Sequence, residues 1–332
     1  MMKDDYKKIF WKTGLEITPD TFIQADNYSC AQQNLIRRLI NLQYYGLLPV
    51  DETGVSSLIV DATISGTEVT IDQLFCQGIT KDGYLIDFRK NQICSVDTNQ
   101  LLIPGKTARA YYVVVRIKPF EYMLVEPVEN EETPFALPVY ELDIKELSQI
   151  EGHELAILKI DNSQQSPKIY RDYIPPCMAL RSYEGLIDYY REIKQVIANI
   201  LSTISAKKTP YRELIYPFTF LLFDLEQFSP NNPPYHLIQQ LKKMVKTIEV
   251  YFISFEKKFK EGESTSFSYE ESDALVRAYN NSQLNLSEVL NTPYNHNDIV
   301  IVLSSLAKCF KDIQQFFGKK EVKIEEDSTP RI

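Results

Sequence analysis

Cysteine is sparse and scattered in this sequence. The five residues Cys30, Cys76, Cys94, Cys177 and Cys309 form no close pair, and their number is odd. Such a set is a poor disulfide framework and fits a reducing compartment. Histidine is scarcer still: His153, His236 and His296 stand alone, with no His-Glu-x-x-His or Cys-x-x-Cys spacing nearby. Zinc needs three or four convergent ligands, so no metal site is expected. No apolar run approaches the roughly 18 residues that span a bilayer. The densest stretch, Tyr216 to Leu225, is short and contains Pro217 and Asp224. The opening residues Met1-Met2-Lys3-Asp4-Asp5-Tyr6 carry acids where a signal peptide would be basic and then apolar. Positive charge is in deficit, with a net charge of -9. That excludes a protein that coats nucleic acid, which needs clustered Lys and Arg. The expectation is a soluble cytoplasmic protein with no nucleic-acid partner and no direct membrane insertion.

What is present reads as two domains. A length of 332 residues at roughly 100–200 residues per domain predicts that number. Hydrophobic residues at 44% and charged residues at 24% exclude a largely disordered chain. Thr18-Pro19-Asp20 marks a helix start, with Thr as N-cap, Pro at the first helical position and an acid at the positive end of the dipole. This helix is predicted from about Pro19 to Tyr45, with Leu35, Ile36, Leu39, Ile40 and Leu42 on its inner side and Gly46 ending it.

From about Val55 to Tyr170 the pattern is that of strands. Val69-Thr70-Ile71 alternates, Tyr111 to Val115 is β-branched and aromatic, and Leu155 to Ile160 continues the series. Asp82-Gly83 between Ile79 and Tyr84 predicts a hairpin. Strands without intervening helices predict an antiparallel β-sandwich or barrel.

Pro175-Pro176 closes that half, and the rest is helical. Apolar residues step by threes and fours from Tyr183 to Ile204, Tyr211 to Phe228, Leu237 to Phe255 and Ile299 to Phe317. Four segments with a period near 3.5 predict long helices side by side in a bundle. Pro217 predicts a kink, and a weaker helix is placed at Tyr269 to Leu290. The predicted organisation is α+β: a β-sandwich with an early helix over 1–176, a helical bundle over 177–320 and a charged flexible tail over 321–332.

Candidate chemistry is thin. Gly105-Lys106-Thr107 matches the end of a phosphate-binding loop, but Gln100 stands where the loop needs its first glycine. His153-Glu154 reads as a surface pair. Cys177 follows two prolines, yet no base or electropositive setting is legible beside it. The 45 Asp and Glu residues are too many for any pair to point to acid–base catalysis. No catalytic, cofactor or metal residues are assigned. The 21 tyrosines and 17 phenylalanines point instead to cores and protein interfaces.

One stretch carries more. Trp11, Gly14, Ile17, Pro19, Phe22, Gln24, Asp26 and Tyr28 keep the spacing of an opening motif, and Tyr45-Gly46-Leu47 follows the first helix. This pattern resembles TssK, the baseplate subunit of bacterial type VI secretion systems. That family opens with Trp, Gly, an aliphatic residue, Pro-Gln-His-Phe-Gln and a helix with Asp and Tyr, and later shows Trp-Gly-Leu. Asp20-Thr21 replaces its Gln-His pair, and Thr13 replaces an acid before the glycine. The resemblance covers about the first 50 residues closely.

It implies a non-enzymatic structural adaptor, with a β-sandwich shell, a helical neck and no cofactor. It further implies a homotrimer that links TssF-like and TssG-like wedge proteins towards an envelope-complex component, on the cytoplasmic side of the inner membrane. The chain stops near Gly318, where the family's head would begin, so a divergent form lacking the head is expected. The alternative reading is a phage-tail-like receptor-binding or carbohydrate-binding sandwich. In physical terms, Trp11 and Phe22 offer large apolar surfaces for anchoring, while Gly14 and Pro19 shape the bend into the helix.

Overall fold

The computed structural model describes residues 8–40, 44–50, 54–89, 100–104, 108–125, 135–163, 166–206, 212–260, 279 and 286–318. The first helix, α1, runs Pro19–Ile40. It starts where the sequence places it: the Thr21 N–H bonds Thr18 Oγ1 at 3.3 Å while the Thr18 N–H bonds Thr21 Oγ1 at 3.2 Å. These reciprocal bonds satisfy donors that the first helical turn leaves unpaired.

Nine strands follow among the described residues: β1 (Gly46–Leu47), β2 (Leu58–Ser65), β3 (Glu68–Ile79), β4 (Leu85–Arg89), β5 (Gln100–Leu102), β6 (Ala110–Val125), β7 (Phe135–Lys145), β8 (Glu154–Asp161) and β9 (Lys168–Ile169). They form two antiparallel sheets. In the first, β3 is central and pairs with β1, β2, β4 and β5; the second has the order β7-β6-β8-β9. The sheets approach at both margins, β5 beside β7 and β2 beside β8 and β9. The hairpin at Asp82-Gly83 is present: Ile79 pairs with Leu85, and the Thr80 N–H bonds the Tyr84 carbonyl at 2.9 Å.

Alternation dictates the core. In β3, Val69, Ile71, Leu74 and Cys76 are buried while Asp72 and Gln73 are exposed. Strand β6 is buried on both faces over Tyr111–Val115. Tyr111, Val113 and Val115 share a face with their partners Ile160, Leu158 and Leu155, which makes that face apolar. Tyr112 and Val114 lie on the other face, packed with Ala156 and Tyr173 under Ala110, Leu147 and Ile150. The β6–β7 ladder breaks between Ile117 and Tyr122, a stretch holding Pro119, which has no N–H to donate.

The helices after β9 are α2 (Glu184–Ala206), α3 (Arg212–Glu226), α4 (Pro234–Lys260), α5 (Leu286–Asn291) and α6 (Ile299–Gly318). Their buried positions keep the predicted three–four spacing: Ile193, Ile197, Ile200 and Ile204 on α2, and Leu214, Phe218, Leu221 and Leu225 on α3. Leu237, Leu241, Met244 and Ile248 repeat it on α4, as do Leu303, Leu306, Phe310, Ile313 and Phe317 on α6. Phe218 and Phe317 meet edge to face at 6.4 Å, and Phe252 and Phe316 at 5.5 Å. Lys242 of α4 holds α5 by its C-terminal end, its ammonium donating to the Leu290 carbonyl at 3.1 Å and the Thr292 carbonyl at 2.5 Å. Helix α3 runs through Pro217, whose missing N–H forfeits one bond in an otherwise continuous ladder.

The chain divides into two compact units. One comprises residues 1–187 with Pro230–Pro234 and Asn295–Val300; the other comprises 188–229, 235–294 and 301–332. The sandwich unit thus takes in two short segments that arrive from the helical half of the sequence.

The structure departs from what the sequence predicts at Gly46 and at Glu154. Gly46 does not end the first helix: it lies in β1 with φ of +121°, paired with Ile79. A Cβ there would collide with the Pro176 carbonyl and the Cys177 nitrogen, so glycine is required by close backbone approach. His153-Glu154 is not a surface pair, because Glu154 is buried. Gly105-Lys106-Thr107, the tail 321–332 and most of the weak helix Tyr269–Leu290 lie outside the described residues; Leu286–Asn291 is the part described as helix after residue 279.

Candidate interaction surfaces

The motif residues divide into an exposed arm and a buried anchor. Trp11, Gly14, Ile17, Pro19, Phe22, Gln24 and Asp26 are exposed, and Tyr28 is half-buried. Gly14 takes φ of +84° in open space, so its role is the bend alone. None of the described side chains of α1 is buried. Phe22 is 61%, Ile36 54% and Leu39 60% exposed. With Phe10, Trp11, Ile17 and Ile23, all more than half exposed, these side chains offer on the order of 800 Å², about one side of a standard protein interface. Cys30 Sγ of α1 lies 3.7 Å from the Tyr122 hydroxyl of β6.

The anchor is built differently. Leu47 is fully buried; its N–H bonds the Pro176 carbonyl at 2.8 Å and its carbonyl accepts from the Met178 N–H at 3.1 Å. Tyr45, half-buried, donates its hydroxyl to Asn297 Oδ1 at 2.8 Å. Its carbonyl accepts from His296 Nε2 at 2.6 Å, and the two rings meet edge to face at 4.5 Å. Burial pushes the Tyr45 hydroxyl up to about 12, against the smaller opposing effect of its bond to Asn297. Burial likewise lowers His296 to about 4, only partly offset by that carbonyl, so its imidazole is neutral.

Beside this anchor, Asp298 is buried against β6 and β8. Its Oδ2 accepts from the Tyr112 hydroxyl at 2.8 Å and from Lys159 Nζ at 2.5 Å. Its Oδ1 has no hydrogen-bond partner among the described residues. Lys159 also lies 5.1 Å from the Tyr170 ring centre, over the aromatic face. The Tyr173 hydroxyl donates to the Asn297 carbonyl at 3.0 Å. Residues 295–298 are therefore held to the sandwich by three tyrosines and a lysine. Sequence reasoning named Tyr45 but missed His296, Asn297 and Asp298 in this role, since an isolated Asn-His-Asn-Asp stretch carries no periodic signal.

A charge cluster lies on the polar face of the second sheet. Glu154 Oε1 accepts from Arg116 Nε at 3.0 Å and Lys145 Nζ at 2.5 Å, and its Oε2 accepts from the Glu151 N–H at 2.9 Å. Burial would raise this carboxyl, but the three donors outweigh it and hold it below the usual range. Glu151 and His153 come within ligand distance of Glu154. Both oxygens of Glu154 are already committed to donors, which opposes a cation there. Cys177 is buried with its thiol on the Pro175 carbonyl at 3.2 Å, and burial raises it well above the ordinary thiol value, so it packs rather than reacts.

A second apolar surface belongs to the helical unit. Tyr216 is 71%, Phe220 66% and Phe223 57% exposed. Their i, i+4, i+7 spacing places them on one stripe of α3, opposite the buried Leu214, Phe218, Leu221 and Leu225. Among the described residues, no helix is long and apolar enough to cross a membrane.

No protein-family model matches the chain, and no curated protein matches its sequence. Solved structures do. The chain aligns with one in the cryo-electron-microscopy structure of a type VI secretion TssK-TssF-TssG baseplate subcomplex, with a TM-score of 0.57 and 14% identity, over 95% of this chain and 99% of that one. A crystal structure of TssK gives 0.58 and 12% identity over 95% of this chain and 70% of its own. TssK from EAEC, bound to a nanobody, gives 0.51 and 12% identity over 90% and 69%. The two antiparallel sheets and the helical part that follows them are the TssK fold.

Proposed function

We propose that this chain is a non-enzymatic structural subunit of a type VI secretion baseplate. The observation that carries the reading is the fold agreement along 95% of the chain with a subunit of the TssK-TssF-TssG subcomplex. The opening motif supports it from sequence, and the exposed apolar surfaces of α1 and α3 support it from physics, because soluble monomers rarely leave such stripes uncovered.

In this reading the chain is a homotrimer. The sandwich, over 1–176, is a shell that binds TssF-like and TssG-like wedge proteins, and the helices over 177–320 are a neck. The assembly works in the cytoplasm, docked at the inner membrane and directed towards an envelope-complex component. Trp11, Gly14, Ile17, Pro19, Phe22, Gln24, Asp26 and Tyr28 form the arm that takes part in assembly, and Tyr45, Gly46 and Leu47 fix its root.

The test is co-expression with TssF-like and TssG-like proteins, followed by affinity purification through a tag on this chain. Retention of both wedge proteins through high-salt washes, weakened by Trp11→Ala with Phe22→Ala while circular dichroism is unchanged, is the expected result. Failure of the wild-type chain to retain either protein refutes the reading.

A further inference from the structure

We infer that α1 of one copy packs, in parallel, against the aromatic stripe of α3 in a neighbouring copy. The inference rests on the oligomeric reading above and locates its seam. Along α1, Phe22, Ala25, Ser29, Gln32, Ile36 and Leu39 recur at alternating intervals of three and four. A stripe that narrow is made to meet one other helix rather than a broad core. A helix of 22 residues, none of whose described side chains is buried, also gains little in water from its own hydrogen bonds, since most helical stability comes from packing.

The two stripes complement each other in size. That of α1 is large at Phe22, Ile36 and Leu39 and small at Ala25 and Ser29, with the longer Gln32 after them. That of α3 is large throughout, at Tyr216, Phe220 and Phe223. Ala25 to Gln32 and Tyr216 to Phe223 each span about 10 Å of helix, so the rings of Tyr216 and Phe220 fall over Ala25 and Ser29 and that of Phe223 beside Gln32.

Charge fixes the direction. With Ala25 level with Tyr216 and the helices parallel, Arg37 falls within a turn of Glu226, both on the same flank of the seam. Reversing one helix would part Arg37 from Glu226 and set Asp26 beside Asp224, pairing like charges. The surfaces on α1 and α3 are different patches, so the contact is heterologous, the kind that gives a ring such as a trimer when the rotation between copies closes.

The experiment uses full-length chains in a Cys30→Ser, Cys94→Ser background. One tagged copy carries Gln33→Cys, and a second copy with a different tag carries Glu226→Cys; both are co-expressed and treated with a short bis-maleimide. The expected product is a cross-linked pair bearing both tags. Phe220→Glu on the second copy should lower its yield about tenfold, with helical circular dichroism unchanged. A trimer in light scattering without the two-tag product overturns this seam and leaves the baseplate reading standing. A chain carrying both Gln33→Cys and Glu226→Cys that cross-links only within itself also overturns it, as does a two-tag product indifferent to Phe220→Glu. Protection of both thiols only on adding wedge proteins assigns the surfaces to those partners instead. A monomer at all concentrations overturns both readings.

Discussion

Replacing Lys159 with methionine removes the cation that neutralises a buried carboxylate and tests how the Asn295–Asp298 segment is held. Asp298 is 1% exposed, and its Oδ2 has two donors, Tyr112 at 2.8 Å and Lys159 at 2.5 Å. Methionine fills the volume of the lysine stem but supplies no charge. Breaking one side of a buried ion pair costs about 3–5 kcal/mol, because the remaining charge loses its compensation. The Tyr112 hydroxyl is retained, so the lower half of that range is expected.

Asp298→Asn differs in kind. It keeps an acceptor for Tyr112, and the Lys159 side chain, 15% exposed, keeps a path for its ammonium to water, so about 1–2 kcal/mol is expected. Together the substitutions should cost little more than Asp298→Asn alone, giving a coupling energy of about 2–3 kcal/mol. The assay is urea unfolding of all four proteins at pH 7, followed by near-ultraviolet circular dichroism of the sandwich tyrosines. A Lys159→Met loss below about 1 kcal/mol, or strictly additive effects, would refute the claim that this pair is a buried strut.

Two further perturbations address the root of the arm. Gly46→Ala should destabilise by about 3 kcal/mol or more, combining left-handed backbone strain with collision against Pro176; an unchanged thermal midpoint would contradict the close approach. His296 is held neutral at about 4 in the fold against roughly 6.5 unfolded. Below about pH 6.5 the unfolded chain gains a proton that the folded chain refuses. Stability from this site is therefore complete above that value and falls as pH drops towards 4, by about 3 kcal/mol in all. His296→Gln should flatten the stability profile in that window, and an identical profile would show that His296 titrates normally.

Much of this fold was legible in the sequence, and the reason is periodicity. The α2, α3, α4 and α6 cores follow the three–four pattern, and β3, β6 and β8 fall on the alternating or β-branched runs, because one buried face dictates each. What the sequence hid depends on distant partners. Asp298 meets Lys159 across 139 positions and Tyr112 across 186, and no local rule links them. Glu154 looked like part of a surface pair because its partners Arg116 and Lys145 sit on neighbouring strands. Gly46 had a helix-ending glycine's credentials, yet the demand on it comes from Pro176 on a remote segment. Exposure was hidden too: the apolar residues of α1 suggest an inward face, and the structure leaves Ile36 and Leu39 of it exposed.

The most direct test of the assembly claim is the solution mass of the purified full-length chain by light scattering across a range of concentrations. A homotrimer gives a stable species at three times the 38.5 kDa subunit mass. A species that stays at the subunit mass at every concentration would contradict it.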